Sequence, residues 1–182
     1  MKVILNKVRI AFPDIFEATQ YQGKGAFRYN ATYLIEPGSQ NDINIRAAIK
    51  AEAQGTYGKK ADALLASMQN NTNKYCYISG DTKPDYDGYP GKMYLAGHRK
   101  QADGPPLVID SNRSPLTANS GKPYAGCYVN ATVDIYAQDG ENAGIRCGLI
   151  GIQFAGDGEA FGGASRPNVD DFEDCGTEES LV

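Results

Sequence analysis

Alternation of apolar and polar side chains, the mark of strands buried on one face, runs through most of this chain. Lys2 to Phe12 sets Ile4, Val8, Ile10 and Phe12 against Asn6, Lys7 and Arg9, and Pro13 is expected to close that strand. Beyond Gly23 and Gly25, Ala26 to Ile35 alternates Phe27, Tyr29, Ala31, Tyr33 and Ile35 with Arg28, Asn30 and Thr32, and stops at Pro37-Gly38. From Asn41 to Gln54 the period changes to that of a helix, with Ile45, Ala48, Ile49 and Ala53 on one side. Asp42 is placed as its cap, and Gly55 and Gly58 end it. A second helix over Lys60 to Gln69 would bury Leu64, Leu65 and Met68. Strand signals return over Lys74 to Ser79, Met93 to Lys100, Leu107 to Ile109, Ala125 to Ala137 and Ile145 to Phe154. The clearest is Ala125 to Ala137, where Cys127, Val129, Ala131, Val133 and Ile135 form an unbroken apolar face. This order predicts a mainly β fold, a small antiparallel barrel or a sandwich, with a helical insert at about 41–70.

Composition narrows the class. A chain of 182 residues buries a core as one domain without staples. Its 21 glycines exceed the usual share of roughly 7%, as many short strands and tight turns require. No stretch approaches 18 apolar residues, so no membrane span is expected. The amino-terminal apolar run holds charges and lacks a cleavage signature, which points to the cytoplasm and reduced thiols. In that compartment the Asn-x-Ser/Thr matches at Asn30, Asn70, Asn112 and Asn130 carry no meaning. Cys76, Cys127, Cys147 and Cys175 form no C-x-x-C pair and have no histidine at ligand spacing, which argues against a metal site.

Charge is unevenly placed. Residues 166–182 carry Asp170, Asp171, Glu173, Asp174, Glu178 and Glu179 against Arg166 alone. Without them the net charge of −4 disappears, and residues 1–165 hold 17 Lys and Arg against 16 Asp and Glu. The division is therefore a binding domain over 1–165 and a flexible acidic tail over 166–182. Such a tail is either a solubilising end or a tethered competitor for a polyanion site, able to recruit partners through Phe172 or Leu181-Val182.

The candidate chemistry is binding. Tyr29 follows Arg28, Tyr75 and Tyr77 follow Lys74, and Tyr94 lies between Lys92 and His98-Arg99-Lys100. Aromatic rings interleaved with cations are what a single-strand groove needs, the rings to stack on unpaired bases and the cations to track phosphates. Tyrosine is also a favoured strand residue that simply packs. The candidates are Lys7, Arg9, Arg28, Lys74, Arg99 and Lys100 for phosphate, and Tyr29, Tyr75, Tyr77 and Tyr94 for bases. In the strand from Ala26 to Ile35, Tyr29 shares a face with Ile35 and opposes Arg28, so the two cannot both face a ligand. Catalysis has little to work with. His98 is the single imidazole, no G-x-S-x-G or G-x-x-x-x-G-K-[ST] occurs, and Gly156-Asp157-Gly158 has Phe161 where a dinucleotide loop needs glycine. Asp85-Tyr86-Asp87-Gly88 starts like a calcium loop but has Ala96 at its twelfth position. A nuclease would have to use Asp81, Asp85 and Asp87 from one loop, and a β-rich phage head or tail component would fit the strands equally well.

Lys7-Val8-Arg9-Ile10-Ala11-Phe12-Pro13-Asp14-Ile15-Phe16-Glu17-Ala18, Tyr33-Leu34-Ile35, Tyr124 to Ala131, Gly148 to Phe154 and Gly158-Glu159-Ala160-Phe161-Gly162-Gly163 together resemble phage-encoded single-stranded DNA-binding proteins of OB type. The resemblance spans the whole body. It implies a five-stranded barrel with added strands, dimeric or cooperative binding to single strands, no enzyme activity and no cofactor. It also implies an acidic tail that contacts replication or recombination proteins in the infected bacterial host. Such proteins commonly end in acids followed by a terminal aromatic residue, whereas this chain ends Ser180-Leu181-Val182 and has Phe172 as the aromatic of its tail.

Overall fold

The computed structural model describes residues 1–163 together with 172, 173, 175 and 176. Seven strands lie in one sheet of order β3-β4-β2-β1-β6-β7-β5: β1 Lys2–Tyr21, β2 Lys24–Ile35, β3 Tyr77–Ser79, β4 Met93–Lys100, β5 Leu107–Ile109, β6 Tyr128–Gln138 and β7 Gly144–Gly156. The sheet closes on itself where β4 meets β7 in parallel, with His98 opposite Gly148. The strands β1, β2, β4, β7 and β6 thus form a five-stranded barrel of OB type, and the sandwich alternative is set aside. Inside it sit Leu5, Ile10, Tyr33, Ile35, Leu95, Val129, Val133, Ile135, Ile145 and Leu149, none more than 1% exposed. Each buried aliphatic side chain contributes roughly 1.5–3 kcal/mol.

Pro13 does not end the first strand. Phe12 adopts φ 49° and the register with β2 slips between Ala11 and Asp14, so β1 absorbs the proline in a bulge and continues to Tyr21. Lys7, at φ 52°, marks a second bulge, against β6 between Leu5 and Val8. The extended β1 and β2 form a hairpin arm whose tip carries Tyr21, 73% exposed, and Phe27, 48% exposed.

The helical insert consists of α1, Gln40–Tyr57, and α2, Ala61–Met68, joined by a short 3-10 turn. Ser39, not Asp42, is the cap of α1, its hydroxyl accepting from the Asp42 amide at 3.3 Å. Asp42 turns inward, 5% exposed, and its carboxylate accepts from Tyr77 Oη (2.5 Å), Arg46 Nε (2.8 Å) and the Gly38 amide (2.9 Å). Burial alone would raise its pKa, but these donors outweigh it and hold the carboxyl below the usual range. Gly55 lies within α1, which stops at Gly58, in the left-handed region at φ 58°. Ile45, Ala48, Ile49 and Ala53 bury the inner face of α1, and the Tyr57 hydroxyl accepts from the Gly144 amide at 3.1 Å, tying the helix to the β6–β7 hairpin.

A second, smaller apolar cluster lies outside the barrel, where the segment from Gly80 to Lys92 folds back and sets Tyr89 among Ala11, Leu34, Ile78 and Tyr94. The proposed boundary at residue 165 and the tail acids Asp170, Asp171, Asp174, Glu178 and Glu179 lie outside the described residues. Phe172 and Glu173 are described and exposed.

Candidate nucleic-acid interface

A cleft of about 660 Å³ lies over the seam between β4 and β7. β4 contributes Ala96, His98, Arg99 and Lys100, β7 contributes Ile145 to Leu149, β2 contributes Arg28, and β6 contributes Tyr136 and Gln138. Four permanent cations, Arg28, Arg99, Lys100 and Arg146, face one carboxylate, Asp103. Strand pairing sets this crowding: Arg28 stands directly opposite Lys100 on the β2–β4 ladder, and Tyr136 opposite Arg146 on β6–β7. Like charges placed directly opposite one another destabilise a sheet. Arg28, Lys74 and Lys100 make no ion pair among the described residues, so an incoming anion would relieve the repulsion rather than compete with an existing partner.

Two of the arginines in the cleft are partly engaged. Arg99 donates to Gly104 O (2.7 Å), Leu149 O (3.2 Å) and Asp103 O (2.8 Å), which uses three of its five N–H groups, one to tie β4 to β7 and two to hold the turn after β4. Arg146 donates to Asn73 O and to Asn142 O, the latter at 3.1 Å. His98 pairs through Nδ1 with Asn30 Oδ1 at 2.7 Å. The Asn30 amide nitrogen already faces Thr19 Oγ1 at 3.1 Å and Arg28 O at 3.4 Å, so Nδ1 carries the proton and Nε2 remains an acceptor. Loss of hydration in the cleft, with the Arg28 and Arg146 charges beside it, pulls the His98 pKa down to about 4, and the ring is neutral near pH 7.

A second groove of about 430 Å³ shares Arg28 and His98 with the cleft and continues beneath the hairpin arm past Phe12 and Tyr21. Through these shared residues the two cavities adjoin, the first reaching Tyr136, 42% exposed, and the second Phe12, 56% exposed.

The residues expected from the sequence divide sharply. Arg28, Tyr75, Arg99 and Lys100 line the cleft, and Lys74 is exposed between the lining residues Asn73 and Tyr75. Tyr29 is not a stacking surface: it points into the barrel, 7% exposed, because β2 turns Arg28 outward. Tyr77 is 3% exposed and serves Asp42, and Tyr94, 6% exposed, is covered by the segment from Gly80 to Lys92. Arg9 is spent within the fold, donating to Gly126 O at 2.9 Å and Glu159 O at 2.5 Å and lying 4.2 Å from the centroid of the Phe161 ring. Lys7 is exposed in its bulge beside Asn130, outside the cleft lining. Sequence reasoning missed Arg146, Tyr136, Tyr21 and Phe12. A usable signal existed for the first two, since a hairpin turning at Asp139-Gly140 places Tyr136 and Arg146 on one outward face.

Over residues 1–182 the chain matches the family described as "Enterobacter phage Enc34, ssDNA-binding protein". The chain belongs to the Enc34 ssDNA-binding protein family. This is a family of binding proteins rather than enzymes. Protein p50 of Acyrthosiphon pisum secondary endosymbiont phage 1 is 47% identical over 177 residues, covering 96% of this chain and 94% of p50. The structure of the Enc34 protein in complex with ssDNA superposes with a TM-score of 0.72 at 18% identity, over 88% of this chain and 89% of that one. The single-stranded DNA-binding protein gp2.5 of bacteriophage T7 shares the fold more distantly, with a TM-score of 0.58 at 9% identity over 92% of this chain and 98% of that one. In this Enc34-family chain, Asp81 accepts from the Gly91 amide and Asp87 from the Gly162 amide, each at 2.8 Å, which gives two of the three acids of the supposed nuclease loop a structural use. Among the described residues no cluster of three or more potential metal ligands occurs, and no helix is long and apolar enough to cross a membrane.

Proposed function

We propose that this protein binds single-stranded DNA, with little regard to sequence, along the cleft over the β4–β7 seam. The observation that carries this reading is the placement of Arg28 and Lys100 opposite one another, without acidic partners, in a cleft that also presents Tyr75 and Tyr136. Phosphates neutralise the cations while bases stack on the rings, and stacking tolerates any base because every base has a π-face. Binding the unpaired form lowers duplex stability by mass action and needs no nucleotide hydrolysis. The setting is phage DNA replication or recombination in the cytoplasm of the infected bacterium, as a homodimer or cooperative oligomer on DNA.

The acidic segment completes the proposal as a tethered competitor. Its carboxylates occupy the cationic cleft when DNA is absent and are displaced by DNA, which frees the exposed Phe172 and its neighbours for replication or recombination partners. Fluorescence anisotropy with the full chain and a chain ending at Ser165 tests both parts. The shorter chain is expected to bind labelled single strands about three- to tenfold more tightly at low salt, and the gap should narrow as salt screens the tail. Arg28, Lys100 and Arg146 together should contribute roughly −2 to the slope of log affinity against log salt, at about −0.7 per phosphate on a single strand. Failure of both chains to bind single strands would leave the phage structural-protein reading in front.

Affinity should also depend on His98. A phosphate settling between Arg28 and Arg146 screens two of the causes that hold the imidazole near 4, so its pKa rises in the complex and binding takes up a proton. Affinity is therefore expected to rise as pH falls from about 7 to about 5, the direction required when the complex holds more protons than the free protein. His98→Gln should flatten that dependence, measured by anisotropy across the same pH range. An unchanged pH profile in the variant would refute the coupling.

A further inference from the structure

Beyond the groove under the hairpin arm lies an apolar pocket of about 310 Å³, and Phe12 forms part of both walls. Phe12 is 56% and Tyr86 43% exposed, with ring centroids 5.3 Å apart in an edge-to-face pair. Tyr89 backs Tyr86 at 5.2 Å, and Phe161 closes the pocket. Phe12 is held outward by a positive φ of 49°, a conformation that costs a β-carbon residue stability and is kept where the surroundings or a function demand it. Here it gains an exposed ring at the far end of the groove that begins at Arg28 and also holds Asp14.

We infer that the Phe12–Tyr86 pair is a second base-stacking site, which receives a nucleobase from the same DNA strand after the strand has crossed the cleft and passed Phe12. The inference rests on the reading of the cleft as the path of the strand, and the three cavities, which adjoin through His98, Arg28 and Phe12, supply the route. Charge determines which part of the nucleotide enters. Asp85 and Asp87 stand on the pocket rim and repel phosphate, so the uncharged base turns in against the rings. Lys83, with Nζ 5.6 Å from the Tyr86 ring centroid, is placed to meet the backbone outside. The site extends the contact length on DNA beyond what the cleft alone covers, and affinity should therefore step upward once an oligonucleotide is long enough to reach it.

The test uses the full chain, oligothymidylates of increasing length, and Tyr86→Ala, Tyr86→Phe and Tyr136→Ala. Tyr86→Ala is expected to bind short oligonucleotides as the unaltered protein does and to lose about 5- to 150-fold on long ones, the range of one stacked base. Tyr86→Phe keeps the ring and should keep the affinity at every length. Tyr136→Ala should weaken binding at all lengths. Should Tyr136→Ala weaken binding while Tyr86→Ala matches the unaltered protein at every length, the second site is wrong and the cleft reading stands. Should Tyr136→Ala and Arg28→Gln both bind short oligonucleotides normally, the cleft reading itself fails. Photocrosslinking of 5-iodouracil oligonucleotides to the unaltered protein removes dependence on any variant. Adducts on Phe12 or Tyr86 that appear only with long oligonucleotides support the site, and their absence beside adducts on Tyr136 or Tyr75 overturns it, as would an aromatic peptide partner found there instead.

Discussion

Charge reversal at Arg28 and Lys100 together, to Glu at both positions, is expected to lower the affinity for single-stranded DNA by about 10²- to 10³-fold near 0.1 M salt. Two phosphate contacts disappear and two carboxylates now face the strand on the same ladder position. The neutral pair Arg28→Gln and Lys100→Gln should lose roughly tenfold and flatten the salt slope by about 1.4, since each removed cation releases fewer counterions. Stability offers an independent check. The two cations repel one another in the free protein, so the neutral pair should melt no lower than the unaltered chain, and equal affinities across the series would show that DNA does not use this ladder. Few loss-of-binding experiments separate function from fold so cleanly, because the expected signs are opposite.

Asp42→Ala is the substitution expected to destabilise most, by about 2–4 kcal/mol. It strips the acceptor from the buried Tyr77 hydroxyl and from the Gly38 amide and leaves Arg46 without its partner. For a chain of this size that corresponds to roughly 5–15 °C in the melting midpoint. The carboxyl is held below its usual pKa, so its contribution is complete above that usual value and is lost as pH falls through the lowered one. The acid limb of the stability curve should therefore be shallower in Asp42→Ala. Tyr77→Phe removes the donor as well as its need and should cost less, while single-strand affinity stays unchanged. A marked loss of binding in Tyr77→Phe, which keeps the ring and removes the hydroxyl alone, would show that this hydroxyl meets the strand and contradict its place as the buried donor to Asp42.

The barrel and the helical insert were legible because strand and helix periods differ, and Ile45, Ala48, Ile49 and Ala53 obey one while Val129, Ala131, Val133 and Ile135 obey the other. What the periodicity cannot report is a bulge. Phe12 and Lys7 each shift the face of every residue that follows, so a strand that should stop at Pro13 runs on to Tyr21 and creates the arm. Tyr94 defeated pattern reading for another reason: its strand face points away from the barrel, and only the return of the segment from Gly80 to Lys92 buries it. Arg28 and Tyr29 show the opposite case. Alternation required one of them to be internal, and the continuous inward series Tyr29, Ala31, Tyr33 and Ile35 decides which. Arg9 was a cation of the expected type whose guanidinium the backbone carbonyls had already claimed, and Arg99 lines the cleft with three of its N–H groups claimed in the same way, which no local pattern reveals.

Between β4 and β7 themselves the barrel closes through one register pair, His98 with Gly148, helped by the Arg99 guanidinium reaching across to Leu149 O and by the segment before β3, where the Cys76 amide donates to Ile145 O (3.1 Å) and the Ile145 amide to Lys74 O (2.8 Å). By contrast, β6 and β7 pair along almost their whole length. Direct hydrogen bonds between β4 and β7 are thus fewer than between β6 and β7, which makes this line the place where the wall parts first under thermal motion. A strand of DNA lying over that line, with phosphates on β2 and β4 and a base against β6, bridges both margins of the gap. Its ligand would then act as a clasp on the closed form: amides flanking the seam gain protection from exchange with solvent, and the opening that precedes unfolding is postponed in the complex.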